Sequence, residues 1–250
     1  MESTKRFSDR VEDYVKYRPH YPAALLSWMQ TAIGFDASCV VADIGSGTGI
    51  STELFLRNGN RVFAVEPNEA MRTKAGELLS GYPGFISIDG TAEATGLTGA
   101  SVDLIAAGQA FHWFDPVRTR REFVRIGRPG AYTVLIWNER LVGSDFEWEY
   151  EELILRFAGD YKTINHKNIS DPQIGAFFSP ETYGSQSFAH EQILDYEGLK
   201  GRLLSSSYIP KEGPRYKGMI AALEGLFARH QSMGKVRVGY ETKVYLGKLG

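Results

Sequence analysis

Between Val40 and Asn138 short apolar runs alternate with stretches of helical period. The runs are Val40–Ile44, Arg61–Glu66, Phe85–Asp89, Val102–Ala107 and Tyr132–Asn138. They are continuous rather than alternating and rich in Val, Ile, Leu and Ala, the pattern of strands covered on both faces. Helices are expected over Ile50–Asn58, Glu69–Leu79 and Pro116–Ile126. Asn58-Gly59 stops the first, and Gly127-Arg128-Pro129-Gly130 stops the third. Strand–helix alternation with right-handed crossovers gives a parallel sheet, hence an open doubly wound α/β fold.

Beyond Asn138 the rhythm changes. Phe146–Gly159 reads as an aromatic, acidic helix, and Lys162–Ser179, with Pro172, as loop. A strand is expected over Gly184–Leu194, then helices over Tyr196–Ser206 and Pro214–Ser232. The tail Lys235–Leu246 alternates Val236, Val238, Tyr240, Thr242 and Val244 on one face, a strand exposed on its other side. These elements extend the same sheet with edge strands rather than build an independent domain.

The 250 residues are 43% hydrophobic and 23% charged, with net charge −2. A nearly neutral chain has no broad field for nucleic acid or an anionic bilayer, so neither is an expected partner. No apolar run approaches the roughly 18 residues of a membrane span. The opening MESTKRFSDRVEDY has no apolar core segment, so no secretory signal is expected. A single cysteine, Cys39, fits a reducing compartment, and a cytoplasmic protein is expected.

The sharpest local feature is Val41-Ala-Asp-Ile-Gly-Ser-Gly-Thr-Gly-Ile-Ser51, an apolar strand end, a carboxylate and three alternate glycines. Ligands of open parallel sheets bind beyond the carboxyl ends of the strands. Glycines permit close backbone approach and positive φ, and the helix starting at Ile50 offers free N–H groups to an anion. The dinucleotide fingerprint G-x-G-x-x-G fits Gly45 and Gly47 but meets Ile50 at its third place. A pyrophosphate has no use for Asp43, whereas an amino-acid zwitterion uses both carboxylate and amides. S-adenosylmethionine has such an end. Glu66, closing the second strand, suits the two hydroxyls of a ribose, as it also would in a nicotinamide-binding fold.

Asp43-Ile-Gly-Ser-Gly-Thr-Gly49, Val65-Glu-Pro-Asn68 with Met71, Gly90-Thr-Ala-Glu93, Asp103-Leu-Ile105 and Arg128-Pro-Gly130 together resemble the class I S-adenosylmethionine-dependent methyltransferases, over about Phe35 to Asn138. Tyr14-Val-Lys-Tyr-Arg-Pro-His-Tyr-Pro22 and Gly108-Gln-Ala-Phe-His-Trp-Phe-Asp115 are similar to the small-molecule branch with the trans-aconitate methyltransferase-like proteins. The resemblance implies a Rossmann-like, mostly parallel seven-stranded sheet with an antiparallel final strand and a helical lid. It divides one domain into N-terminal lid helices (1–34), a cofactor-binding core (35–138) and variable substrate-side elements (139–250). It assigns the methionine end to Asp43, Gly45, Ser46, Gly47 and Gly49, ribose to Glu66, and the nucleoside flank to Asn68 and Met71. Thr91, Ala92 and Glu93 would border adenine, although many relatives carry aspartate where Thr91 stands. Ala107, Gly108 and Gln109 would run beneath the sulfonium. Tyr14, Tyr17 and Arg18 become lid or carboxylate contacts.

On the acceptor side, His112 is the candidate catalytic group, as a base or a hydrogen-bonding partner, against the alternative that it packs the sheet end with Phe111, Trp113 and Phe114. Trp113 is the candidate substrate-side aromatic. Arg140 either meets an acidic substrate or pairs with Glu139 or Asp145. Met219 and the run Phe146, Trp148 and Tyr150 read as core or lid packing. His20, His166, His190 and His230 are scattered without metal-ligand spacing, so no metal is expected. Three functions stay open: methyl transfer to a small molecule, nicotinamide-dependent oxidoreduction, and regulatory cofactor binding without catalysis. Carboxylate, hydroxyl, nitrogen and carbon acceptors are all compatible, and oligomeric state is undetermined.

Overall fold

The computed structural model describes residues 11–159 and 171–250; of Tyr14, inside the first helix, only the backbone is described. The opening decapeptide, His166 and the first part of the expected 162–179 loop lie outside these residues. In chain order the elements begin with α1 (Val11–Tyr17), α2 (Ala24–Ile33), β1 (Val40–Ile44), α3 (Ile50–Arg57), β2 (Arg61–Val65) and α4 (Glu69–Leu79). There follow β3 (Phe85–Ile88), β4 (Val102–Gly108), a 3-10 turn (Phe111–Trp113), α5 (Pro116–Ile126), β5 (Gly127–Arg140) and α6 (Asp145–Phe157). The chain ends with α7 (Asp171–Phe178), β6 (Tyr183–Leu194), α8 (Tyr196–Leu204), α9 (Gly213–His230) and β7 (Val236–Gly247).

The strands form one seven-stranded sheet in the order β3-β2-β1-β4-β5-β7-β6. β1 to β5 pair in parallel, and β7 runs antiparallel to both β5 and β6. The sheet is therefore mixed and mostly parallel, with its final strand reversed. The chain turns from β3-β2-β1 outward to β4 at the centre, which is where open α/β sheets place their ligands.

Three expectations change. β7 does not lie at an edge: it is inserted between β5 and β6, so its second face is only partly exposed. β6 is the edge strand on that side. The loop expected over 162–179 holds a helix at 171–178, because Pro172 sits in the first turn, where a missing N–H costs nothing. Ile174, Phe177 and Phe178 on that helix are buried in the core. The glycines at 127 and 130 end α5 as expected, but β5 begins at once with Gly127 opposite Val102, ahead of a register shift.

Helices cover both faces. One core joins α2 and α3 to the sheet through Leu25, Met29 and Phe55, and the opposite core carries Phe123, Ile126 and Phe177 from α5 and α7. A third cluster gathers α6, α8 and α9 over the start of β7, with Phe146, Tyr150 and Met219 buried in it. Trp148, on the same run, is exposed.

α1 bridges the halves of the molecule. Lys74 on α4 pairs with Glu12 at 2.8 Å, and the Tyr17 ring lies on Gly201 of α8, where a Cβ would collide with the ring. Gly201→Ala is expected to push α1 off, lowering the thermal midpoint by roughly 3–10 °C, from an overpacking cost of about 1–3 kcal/mol. Scanning calorimetry of Gly201→Ala, Tyr17→Ala and the pair checks this. The pair should be less destabilised than the sum, and strict additivity would place the ring elsewhere.

Candidate functional site

β1 carries Asp43 into the centre of the sheet, where the side chain is fully buried. Its Oδ2 accepts from Ser51 Oγ at 2.7 Å and Thr52 Oγ1 at 2.6 Å, hydroxyls that the first turn of α3 brings back over the strand end. Its Oδ1 is buried without a partner among the described residues. Burial pushes the carboxyl up to about 6, against the two hydroxyls that hold it down.

The turn after Asp43 depends on glycine at specific places. Gly45, Gly47 and Gly49 all have positive φ. A Cβ on Gly49 would fall 2.5 Å from Leu79 Cδ1, and one on Gly45 would fall 2.7 Å from Ala110 Cβ. A Cβ on Gly47 would meet only Met71 Sδ, at 3.7 Å, so that side of the turn is open to a ligand. The amides of Gly45 and Ser46 donate to the Val65 carbonyl, at 2.8 and 3.1 Å, fastening the turn to β2. Gly49, as N-cap, has no side chain with which to cap α3, which leaves the amides of Ile50 and Ser51 for an anion.

Glu66 stands across the turn. Its Oε2 accepts from the Gly47 amide at 3.0 Å and its Oε1 from the Asn68 amide at 2.8 Å. Burial raises its pKa above the ordinary glutamate value, against those two amides. A carboxylate accepts about four hydrogen bonds, so two remain for ligand hydroxyls. Asn68 caps α4, its Oδ1 accepting from the Met71 amide at 3.0 Å, and thereby sets Met71 beside Gly47.

Thr91 forms an isolated bridge with Ala94, enclosing the buried Ala92, while Glu93 accepts from the Asp115 amide at 2.9 Å and so ties this loop to the start of α5. At the end of β4, Ala107 is buried. Gln109 adopts φ 55°, uncommon for a residue with a Cβ, and its Nε2 donates to the Asn138 carbonyl at 2.8 Å. A Cβ on Gly108 would sit 2.7 Å from the Tyr21 hydroxyl, so the segment after α1 closes directly over β4.

The acceptor-side residues scatter. Tyr17 rests on α8 and its carbonyl accepts from Gln192; Arg18 Nη2 donates to the Ser205 carbonyl at 3.2 Å. Arg140 is buried against Glu151, neither of the partners weighed from sequence, and its guanidinium lies 4.8 Å from the Tyr150 ring centre. The His112 ring lies 4.8 Å from that of the half-exposed Trp113, tilted by 44°, and burial holds its imidazole down at about 4. Among the described residues no group of acids, histidines and cysteine is arranged to hold a metal, and no helix is long and apolar enough to cross a membrane.

Sequence reasoning missed the polar hub at Asn138. Its Oδ1 accepts from Thr242 at 2.6 Å and faces His190 Nε2 at 3.2 Å, and its Nδ2 reaches the Pro19 carbonyl at 3.4 Å. It also missed Arg202, buried on α8, which donates to the Tyr240 hydroxyl at 2.9 Å and to Ser206 at 3.3 Å. Only an asparagine at a strand end and an arginine in an apolar helix signalled them.

Residues 42–135 match the family model described as a methyltransferase domain. An uncharacterized methyltransferase of Mycobacterium tuberculosis is 37% identical over 134 residues, 54% of this chain and 52% of that protein. The match thus spans about half the length of the mycobacterial relative. An uncharacterized methyltransferase-like protein of Schizosaccharomyces pombe is 25% identical over 250 residues, 96% of this chain and 94% of its own. Among solved structures, a candidate type II methyltransferase from Anaeromyxobacter dehalogenans superposes with TM-score 0.68 at 24% identity, covering 93% of this chain and 98% of that one. Residues 42–135 therefore match the methyltransferase-domain family, and the sheet that carries them has the fold of solved methyltransferases.

Proposed function

We propose that this chain transfers the methyl group of S-adenosylmethionine to a small-molecule acceptor. The observation that carries the reading is the orphaned Oδ1 of Asp43, a buried acceptor beside a glycine turn open at Gly47. An unpaired buried oxygen costs roughly 1–3 kcal/mol, and an ammonium donor is the group that offsets it best. Asp43 would take the amine of the amino-acid end, and the Ile50 and Ser51 amides its carboxylate. Glu66 would use its remaining lone pairs for the ribose hydroxyls, with Met71 against the nucleoside. A diphosphate would meet Asp43 and Glu66 as like charges, which argues against a nicotinamide cofactor.

When bound, the cofactor supplies an electrophilic methyl on a sulfonium. The chain's part is alignment and exclusion of water, for which proximity alone contributes roughly 7–11 kcal/mol. Gln109, held at positive φ by Asn138, fixes the edge of β4 on which the acceptor would lie. A base with a pKa of about 4 lies too far below neutral pH to take a proton efficiently. His112 therefore serves as a neutral hydrogen-bonding wall. The acceptor class stays open; Tyr14–Pro22 and Gly108–Asp115 favour the trans-aconitate methyltransferase-like branch.

Two outcomes are expected. Asp43→Asn keeps an acceptor for Ser51 and Thr52 but loses the charge, so affinity for S-adenosylmethionine should fall about 10–100-fold by calorimetry. In the wild type that affinity should drop as pH falls through about 6, where Asp43 takes up its proton. Without ligand the sign reverses. The stability that protonated Asp43 contributes is present below 3.8 and is lost as pH rises through about 6, so the Asn variant should lose that part of the slope and keep the part that Glu66, also raised by burial, contributes. Saturable NADH binding with no response to S-adenosylmethionine would refute the assignment. Separately, imidazole NMR should place the His112 midpoint near 4, and a midpoint near 6.5 would restore it as a candidate base.

A further inference from the structure

A cavity of about 400 Å³ lies between the 3-10 turn, α5 and α7, and neither Asp43 nor Glu66 lines it. That volume falls in the range of small-ligand sites. Its body is apolar, walled by the rings of Phe111, Phe114 and Phe177 with Val117. Phe111 and Phe177 pack edge to face at 4.6 Å, so these walls hold each other in place.

The charged residues of the lining are cationic, beside the neutral Gln173 and His112. Arg120 is pinned by two backbone carbonyls, Nε donating to Phe177 at 3.0 Å and Nη2 to Leu249 at 2.6 Å. Carbonyls orient the guanidinium without neutralising it. Arg121, one residue on, is exposed and also lines the cavity. No acid is among the described lining residues, and the acids nearest on α5 are engaged elsewhere. Asp115 caps the helix through the Val117 and Arg118 amides, and Glu122 is held by Thr95 and Arg125. His112 contributes a wall that is neutral at pH 7.

We propose that this cavity binds an organic anion with an apolar body, an acyl or aryl carboxylate, the rings holding the body and Arg120 and Arg121 the carboxylate. The site shares one wall with the glycine turn. Phe114 lines the cavity, and its Cζ would lie 3.3 Å from a Cβ on Gly45. The site nevertheless stands mainly on α5 and α7, with His112 a wall common to it and to the acceptor side proposed above.

The test is calorimetric titration of the full chain at pH 7.5 with submillimolar decanoate, decanol and acetate as probes. Decanoate should saturate one site, decanol should bind at least tenfold more weakly, and acetate should not saturate. Arg121→Glu, at an exposed position, should erase the preference for decanoate over decanol. Ala176→Trp, an exposed residue of the cavity wall, should fill the space and abolish decanoate binding while leaving the circular dichroism and thermal midpoint of the wild type. Equal binding of decanoate and decanol, full binding by the Trp variant, or no saturable decanoate site would overturn the proposal. A parallel S-adenosylmethionine titration keeps the readings apart. Cofactor binding without decanoate binding sinks this inference alone, and the reverse sinks the functional proposal alone.

Discussion

A buried carboxylate at the end of β1 sets the terms for everything around it. Asp43 sits where the sheet is most completely covered, and ionising a group there costs several kcal/mol unless donors surround it. Ser51 and Thr52 supply two, on one oxygen only. The second oxygen is left without a partner among the described residues, next along the chain to a turn whose three glycines adopt positive φ. The turn cannot relax toward α4, because Leu79 fills the space beside Gly49, nor toward the 3-10 turn, because Ala110 and Phe114 abut Gly45. The sheet, two helices and the 3-10 turn thus converge on holding one half-satisfied acid in place. Such an arrangement is costly as pure structure and sensible as a receptor for a cation.

The opposite end of the cleft is held by a different device. Asn138 joins β5 to β7 through Thr242, to β6 through His190 and to the segment after α1 through the Pro19 and His20 carbonyls. A buried network of this kind favours one arrangement over its neighbours, since any slip leaves several groups unpaired. It continues through the His190–Tyr240 stack to Arg202, whose charge among the described residues is met by hydroxyls and the Tyr240 ring rather than by an acid. With Tyr17 seated on Gly201, α1 becomes part of the helical layer over β7 while still touching α4.

The difference between these two regions explains what could be read from sequence. Asp43, the alternate glycines to Gly49 and Glu66 lie within 24 residues of one another, at the end of one strand, in the turn after it and at the end of the next, so their spacing suggests a nucleoside site. The central parallel strands β1 and β4 were legible because burial on both faces leaves little room for polar residues. α7 was not, because Asp171-Pro172 reads as a break, although Ile174, Phe177 and Phe178 repeat at helical spacing behind it. The place of β7 was hidden for another reason: its alternation suits an edge, and only pairing with β5 and β6 brings it inside. Asn138 and Thr242 are 104 residues apart, and Arg202 and Tyr240 are 38 apart, so no local pattern joins them.

Charge is also sorted across the molecule in a way that limits what each hollow can hold. The turn presents Asp43 and Glu66, both buried, and the cavity beyond it presents Arg120 and Arg121 with no acid among the described residues of its walls. Between them stand Phe114 and the 3-10 turn, apolar matter that screens far less than water or salt would. A cationic ligand entering the cavity would meet two uncompensated guanidinium groups. An anionic one entering the turn beside Asp43 would meet two carboxylates, and could settle only at the amides of α3. The amino-acid end of S-adenosylmethionine, cationic at one atom and anionic at another, divides along that line within the turn itself. A carboxylate on an apolar chain has no such second charge and is left with the arginine side. Two hollows that share one phenyl ring therefore select by sign before they select by shape.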